Sequence, residues 1–335
     1  MAPLVQKTAN DYTIAVLCAM NIERNAVRYM LEREHRPLPI NPGDSNSYTL
    51  GEVHGHNVVL ACLPSQQGKG AAATVATNMS RSFPSVKWRL FVGIGGGVPS
   101  DRHDIRLGDV VISMPDGEHG GVVQYDLGRQ TKSGFEAKGF LWPSPATLRN
   151  AAQDMESHHL GYGNKIDEYL QAMIKKGPRL AVYNMPSKPD ILFQEEYLHP
   201  DGAPACASHC DLSRAIDRPE HSETRDILAR SFNRDVLCFE MEAAGLMTEF
   251  PSIVIRGISD YADSHKNNSW QHYAAATAAA CAKELLSYIN PELAVAKPAP
   301  SPAPEVAPAS VIFTSRGVQQ TGSGSFTVGR NLNIR

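Results

Sequence analysis

Short apolar runs of β character that each lead into a segment of helical spacing recur along this 335-residue chain, and that alternation restricts what it can fold into. Residues 12–18 (YTIAVLC) are β-rich, and Ile22, Ala26, Val27, Met30 and Leu31 follow at the spacing of one helix face. Residues 48–63 read as a hairpin turning at His54-Gly55-His56, and 71–83 have helical composition. Residues 90–94 (LFVGI) are a buried strand running straight into Gly95-Gly96-Gly97, and 108–113 (GDVVIS) give another. Helices are predicted around 145–158 and 165–176, then a loop rich in Pro, Asp and His over 184–209. Residues 236–239 and 253–258 are short strands leading into helices, and the last helix, 270–289, is rich in alanine. This order predicts an α/β domain with a mostly parallel core sheet, and such a sheet carries its site beyond the carboxyl ends of its strands.

Composition narrows the class. With 42% hydrophobic and 20% charged residues, the chain can bury a substantial core. A net charge of −3 gives no basic field, so neither nucleic acid nor an acidic membrane surface is expected as partner. Four of the six cysteines sit in apolar runs where a reduced thiol simply packs, which favours a reducing compartment. The start, MAPLVQKTAND, has no apolar leader and no window is long enough to span a bilayer, so a cytoplasmic location is expected.

The polar residues fall where such a fold would use them. Glu23, the triple glycine Gly95-Gly96-Gly97, Glu240 with Glu242, and the Ser259-Asp260 pair each follow a strand directly or within one helical turn. Four strand ends therefore converge on one crevice holding several carboxylates. Cleavage of a glycosidic bond passes through an oxocarbenium-like sugar and needs a protonated leaving group and a positioned nucleophile, work that three carboxylates can divide. A carboxylic acid that donates at neutral pH needs burial or a second carboxylate nearby. Taken alone, Glu23 would be an ordinary carboxylate at a helix N-terminus, and the glycines a tight turn. Glu242 lies between Met241 and Ala243-Ala244, an apolar setting where a carboxylate is costly without a task. The glycine run lacks the GK[ST] of a P-loop and the third glycine of a dinucleotide fingerprint, so no cofactor is expected. His199, Cys206, His209 and Cys210 are zinc-type ligands at irregular spacing in a long loop, and no metal site is assigned to them.

Ala19-Met20-x-x-Glu23, GIGGGV, FEMEAAG and RGISDYAD, in that order, resemble the nucleoside phosphorylase-like superfamily, and within it the nucleosidase branch typified by methylthioadenosine/S-adenosylhomocysteine nucleosidases. The wording IGGGVPSDRHDIRLGDVV, CFEMEAAGL and DYADSHKNNSWQHYAAATAAA is similar to fungal domains that occur alone or at the N-terminus of NACHT-type immune receptors. The resemblance covers residues 11–290 and implies a three-layer α/β fold, with a mixed, mostly parallel central sheet flanked by helices. It also implies a purine nucleosidase: Glu23 activates water, Glu242 grips the ribose with Met241 beside it, and Asp260 protonates the purine at N7. Glu240, Phe239, Ser259 and the glycines Gly95, Gly96 and Gly97 are placed by it around sugar and base. Relatives that act as immune effectors make a nucleotide such as ATP a candidate substrate, and relatives that dimerise or go higher imply a homo-oligomer.

A phosphate-dependent phosphorylase is the first alternative, since Gly95 to Gly97 offer amides and Arg24, Arg102 and Arg256 lie close to motif residues. A glutamate at position 23 would repel phosphate, which favours hydrolysis. The second alternative is a catalytically impaired signalling module. In related fungal domains a further strand precedes the helix before FEMEAAG, whereas here Ile216-Asp217-Arg218-Pro219-Glu220-His221 runs directly into Ser222. Beyond the domain, 291–310 form a Pro/Ala-rich linker. Residues 311–335 mix Gly, Ser, Asn and Gln with Phe, Val and Ile, as in fungal amyloid-signalling motifs, and a NACHT-type receptor is a candidate partner for them. Residues 1–10 are read as an N-terminal tail.

Overall fold

The structure, a computed structural model, describes residues 7–65, 67–99, 103–115, 119–132, 134–194, 197–200, 210–216, 236–265 and 268–293. The chain divides into one unit over Met1–Ala296 and a second over Lys297–Arg335, and the latter lies outside the described residues. The expected linker beyond residue 293, the tail, and the region of the missing strand around Ser222 are likewise outside them.

The central sheet is built on four parallel strands, β1 (Ile14–Cys18), β4 (His56–Cys62), β5 (Trp88–Gly97) and β10 (Ile253–Asp260), in the order β4-β1-β5-β10. Antiparallel strands extend it on both sides: β3 (Tyr48–Val53) and the two-residue β2 (Arg33–Glu34) beyond β4, and β6 (Val110–Ile112) beyond β10. β3 and β4 form the expected hairpin, turning at His54 and Gly55, both with positive φ. A separate hairpin, β7 (Gly128–Thr131) with β8 (Gly134–Ala137), has no counterpart in the sequence reading.

Helices cover both faces of the sheet. On one lie α1 (Asn21–Met30), α3 (Ala146–Tyr162), α4 (Ile166–Ile174) and the long α6 (Gln271–Ser287); on the other lie α2 (Lys69–Ser82) and the short α5 (Ala243–Met247). Strand β1 is buried on both sides, Ile14, Val16 and Cys18 facing the first layer and Ala15 and Leu17 the second, which is the two-fold alternation of a doubly covered strand. The alanines of α6 let it lie against β10 so closely that a Cβ on Gly257 would collide with the Ala274 backbone. No helix among the described residues is long and apolar enough to cross a membrane.

The four parallel strands end at one edge of the sheet. There β1 gives way to α1, β4 to the loop that opens α2, and β5 runs on past the end of β1. Strand β9 (Cys238–Phe239) pairs antiparallel with that extension of β5, Phe239 opposite Gly96 and Cys238 opposite Gly97. The chain leaving β9 thus delivers residues 240–242 to the carboxyl edge.

Candidate active site

Glu23 sits in the first turn of α1 and is 2% exposed. Its Oε2 accepts hydrogen bonds from the Ala19 and Met20 amides, both at 2.8 Å, so it does cap its own helix. Its Oε1 accepts from the Ile94 amide of β5, also at 2.8 Å, which a plain cap would not do. Burial raises the Glu23 pKa above the ordinary carboxylate range, against the opposing pull of Arg256 and the three amides.

Arg256, an arginine within the otherwise apolar β10, organises the site, and the sequence reading treated it only as a neighbour of motif residues. It is 2% exposed. Its Nη2 donates to Glu240 Oε2 at 2.7 Å, and its guanidinium carbon lies 4.1 Å from the Phe91 ring centroid. Gly93, its cross-strand partner on β5, explains the geometry: a Cβ there would strike both the Arg256 guanidinium and the Glu23 carboxylate. The positive charge of Arg256 is felt by Glu240, Glu23 and Glu242 together. The signal for it was present in the sequence as a lone charge in a buried strand.

Glu240 also accepts from the amides of Glu242, at 3.0 Å, and Ala243, at 2.9 Å, and so caps α5. Glu242 is 5% exposed; it accepts from the Gly68 amide at the start of α2, at 3.2 Å, and burial raises its pKa. Met241 between them is exposed.

Asp260 closes β10 opposite Gly96, two strand positions past Ile94 and so roughly 7 Å further along the sheet edge than the amide that holds Glu23. It is half-buried, accepting from Ser259 Oγ at 3.0 Å and from the Ala262 amide at 3.0 Å. Ser259 is fully buried, and Asp263 caps the next turn through the His265 amide.

The three glycines differ from the simplest expectation. They do not make a turn after the strand; they are its last three residues, laddered between β9 and β10. Close packing requires them: a Cβ on Gly95 would meet Cys238 Sγ, on Gly96 the Ala262 backbone, and on Gly97 the side chains of Ile258 and Ile105.

A cavity of about 470 Å³ adjoins this centre, lined by Phe239, Glu240, Met241 and Arg256 together with Lys69 and Tyr125. Glu23, Glu242, Ser259 and Asp260 do not line it; Arg256 lines it and lies with Glu23 beside Gly93. The cavity wall is mainly apolar, with Glu240 and Arg256 as its link to the other carboxylates. Phe193 is buried and stacked on His265 at 4.3 Å between ring centroids. The five described cysteines are all free, and no cluster of metal-ligating side chains occurs among the described residues.

No family model matches the chain. It is 39% identical over 300 residues to a nucleotide-binding leucine-rich repeat (NLR)-like protein of Hyaloscypha variabilis, an alignment covering 84% of this chain. The chain spans 30% of that relative's length. Among solved structures, it is similar to a Borrelia burgdorferi B31 protein assigned as a 5′-methylthioadenosine/S-adenosylhomocysteine nucleosidase, bound to adenine. The TM-score is 0.51 at 15% identity, over 83% of this chain and 100% of that one. The 5′-methylthioadenosine/S-adenosylhomocysteine nucleosidase of Neisseria meningitidis, in complex with methylthio-immucillin-A, aligns with a TM-score of 0.47 at 20% identity, over 83% of this chain and 99% of that one. The resemblance drawn from the four sequence motifs is borne out at the level of architecture: the mixed, mostly parallel sheet with helices on both faces is the fold of that solved structure.

Proposed function

We propose that this protein hydrolyses the N-glycosidic bond of purine nucleosides or nucleotides, releasing the free base. The observation that carries the reading is Glu23, a buried carboxylate fixed by three backbone amides from two elements and lying beside Arg256. In the reaction, Glu242 holds the ribose hydroxyls and Asp260 donates a proton to purine N7. The bond from C1′ to N9 breaks with its electron pair going to the base. Glu23 takes a proton from water as the water oxygen bonds to C1′. Burial of Glu23 suits this division, since a base with a raised pKa accepts a proton more readily.

Hydrolysis is preferred over phosphorolysis because the Ala19, Met20 and Ile94 amides, which could cradle an anion, are already occupied by Glu23. The relationship to an NLR-like protein supports a role as a fungal immune or incompatibility effector acting in the cytoplasm. A homo-oligomeric state and a NACHT-type receptor partner belong to the same proposal.

The test is to incubate the full chain with adenosine, inosine, AMP and ATP, with and without inorganic phosphate, and to quantify free base by chromatography. Release without phosphate is expected. Strict phosphate dependence would establish a phosphorylase instead, and no release from any substrate would leave the signalling-module alternative.

A further inference from the structure

The two oxygens of the Asp260 carboxyl group are held from different places. Oδ2 accepts from Ser259 Oγ, a buried hydroxyl of β10 itself, whereas Oδ1 accepts from the Ala262 amide, which belongs to the turn beyond the sheet. Ala262 has a φ of +55°, in the left-handed region where a residue with a Cβ is disfavoured. It packs there against Gly96 of β5, where a Cβ would collide with it. The strand fixes one oxygen of Asp260, and the other depends on whatever keeps this unfavourable turn in place.

Asp190, Phe193, Tyr197 and His199, all in the loop between α4 and β9, anchor it. Asp190 accepts a hydrogen bond from Tyr261 OH, and the His199 amide donates to Ser264 Oγ at 2.9 Å. The buried anchor is His265. Its ring stacks on Phe193 at 4.3 Å between centroids and 21° between planes, and on Tyr197 at 5.4 Å and 25°; Phe193 and Tyr197 are themselves 5.5 Å apart, so the three rings form one cluster. His265 is 8% exposed, and both its ring nitrogens are shut off from solvent without a hydrogen-bond partner; the Asp263 carboxylate comes no nearer to Nδ1 than 3.5 Å. An imidazole in that setting makes none of the contacts of an acid, a base or a ligand. It serves as a flat plate, held by the area it buries against two aromatic rings.

We propose that His265 is a positioning residue for Asp260: stacked on Phe193 and Tyr197, it pins the turn after β10 so that the Ala262 amide keeps the Asp260 carboxyl group aimed at the leaving base. The proposal rests on the reading of Asp260 as the proton donor. With donors on both oxygens the carboxyl plane cannot swing, and a fixed donor needs no reorganisation at the moment of proton transfer. Released from its plate, the turn relaxes towards negative φ at Ala262 and carries that amide away from Oδ1. Proton transfer then suffers, while Glu242, held from the Gly68 amide on α2, keeps its grip on the ribose. The effect therefore falls on kcat, and only where the leaving group needs a proton.

The experiment compares the full-length protein with its His265→Ala, His265→Phe and Tyr197→Ala variants. It measures kcat and KM for adenosine and for p-nitrophenyl riboside, whose leaving group departs without protonation; the ratio of the two kcat values does not depend on the folded fraction. His265→Ala is expected to lower kcat for adenosine about ten- to hundredfold with KM within about twofold, and to lower kcat for p-nitrophenyl riboside by less than about threefold. Tyr197→Ala, which removes the half-buried ring of the cluster, should move the ratio the same way, and carries the test alone if His265→Ala does not fold. His265→Phe keeps the plate and lacks both nitrogens, so it should recover most of the adenosine rate. An unchanged ratio overturns the proposal, and so does a His265→Phe protein as slow as His265→Ala, which would give the imidazole a chemical task. If the unaltered protein releases no base, the hydrolytic reading fails separately, and hydrogen–deuterium exchange over residues 259–265 decides. Exchange that His265→Ala accelerates and His265→Phe restores upholds the anchoring of Asp260 by His265, and equal exchange in all three proteins removes it.

Discussion

Arg256 and Glu240 form an ion pair at 2.7 Å with the guanidinium buried and the carboxylate partly so, and the same arginine lies within the field of Glu23 and Glu242. Its removal strands several carboxylates at once. Arg256→Met should destabilise the fold by about 3–5 kcal/mol, the range for breaking one partner of a buried pair, as read by denaturant unfolding. A double-mutant cycle with Glu240→Gln should show coupling between the two positions, and additive effects would contradict the pairing.

Replacing the proposed base tests the mechanism more directly. Glu23→Gln should lower base release by about 10²- to 10⁴-fold while the circular-dichroism spectrum stays that of the unaltered protein. Retained turnover would move water activation to another residue.

Asp260→Asn should cause a loss of the same order, about 10²- to 10⁴-fold, because an amide cannot protonate the departing purine. A substrate whose leaving group needs no proton should lose much less, and equal losses for both would point to a structural role.

The pH dependence follows from burial. Glu23 and Glu242 both have pKa values raised above the ordinary glutamate range, with burial the largest cause. A carboxylate whose folded pKa lies above its unfolded value contributes stability below the unfolded value and loses it as pH rises through the folded one. These two groups should therefore favour the fold at mildly acid pH, and a Glu23→Gln variant should show a flatter stability profile there. For activity the ionised base is needed, so kcat/KM should fall on the acid side with a midpoint above the ordinary glutamate range. A midpoint within or below that range would contradict the assignment of Glu23.

Two glycines on opposite faces of the sheet separate folding from chemistry. Gly93→Ala drives a methyl into Arg256 and Glu23, and Gly257→Ala drives one into α6 at Ala274. Each should destabilise by about 1–3 kcal/mol by overpacking. Only Gly93→Ala should also depress kcat of the folded fraction, and equal kcat effects would argue against a centre at Gly93.

The sequence by itself determined the α/β class with its mostly parallel sheet and the identity of the residues at the strand ends. An apolar run such as 14–18 reads as a strand buried on both faces, and alternation with helical segments then leaves few topologies. It could not determine how those residues meet. That Glu23 reaches across to the Ile94 amide, that Gly95 to Gly97 continue a strand instead of turning, and that Arg256 pairs with Glu240 within the field of Glu23 and Glu242 are matters of register between strands far apart in the chain. Local spacing carries the period of a strand or helix, but the depth at which a charge is buried, and hence its pKa and its partners, is set only when distant strands are laid side by side.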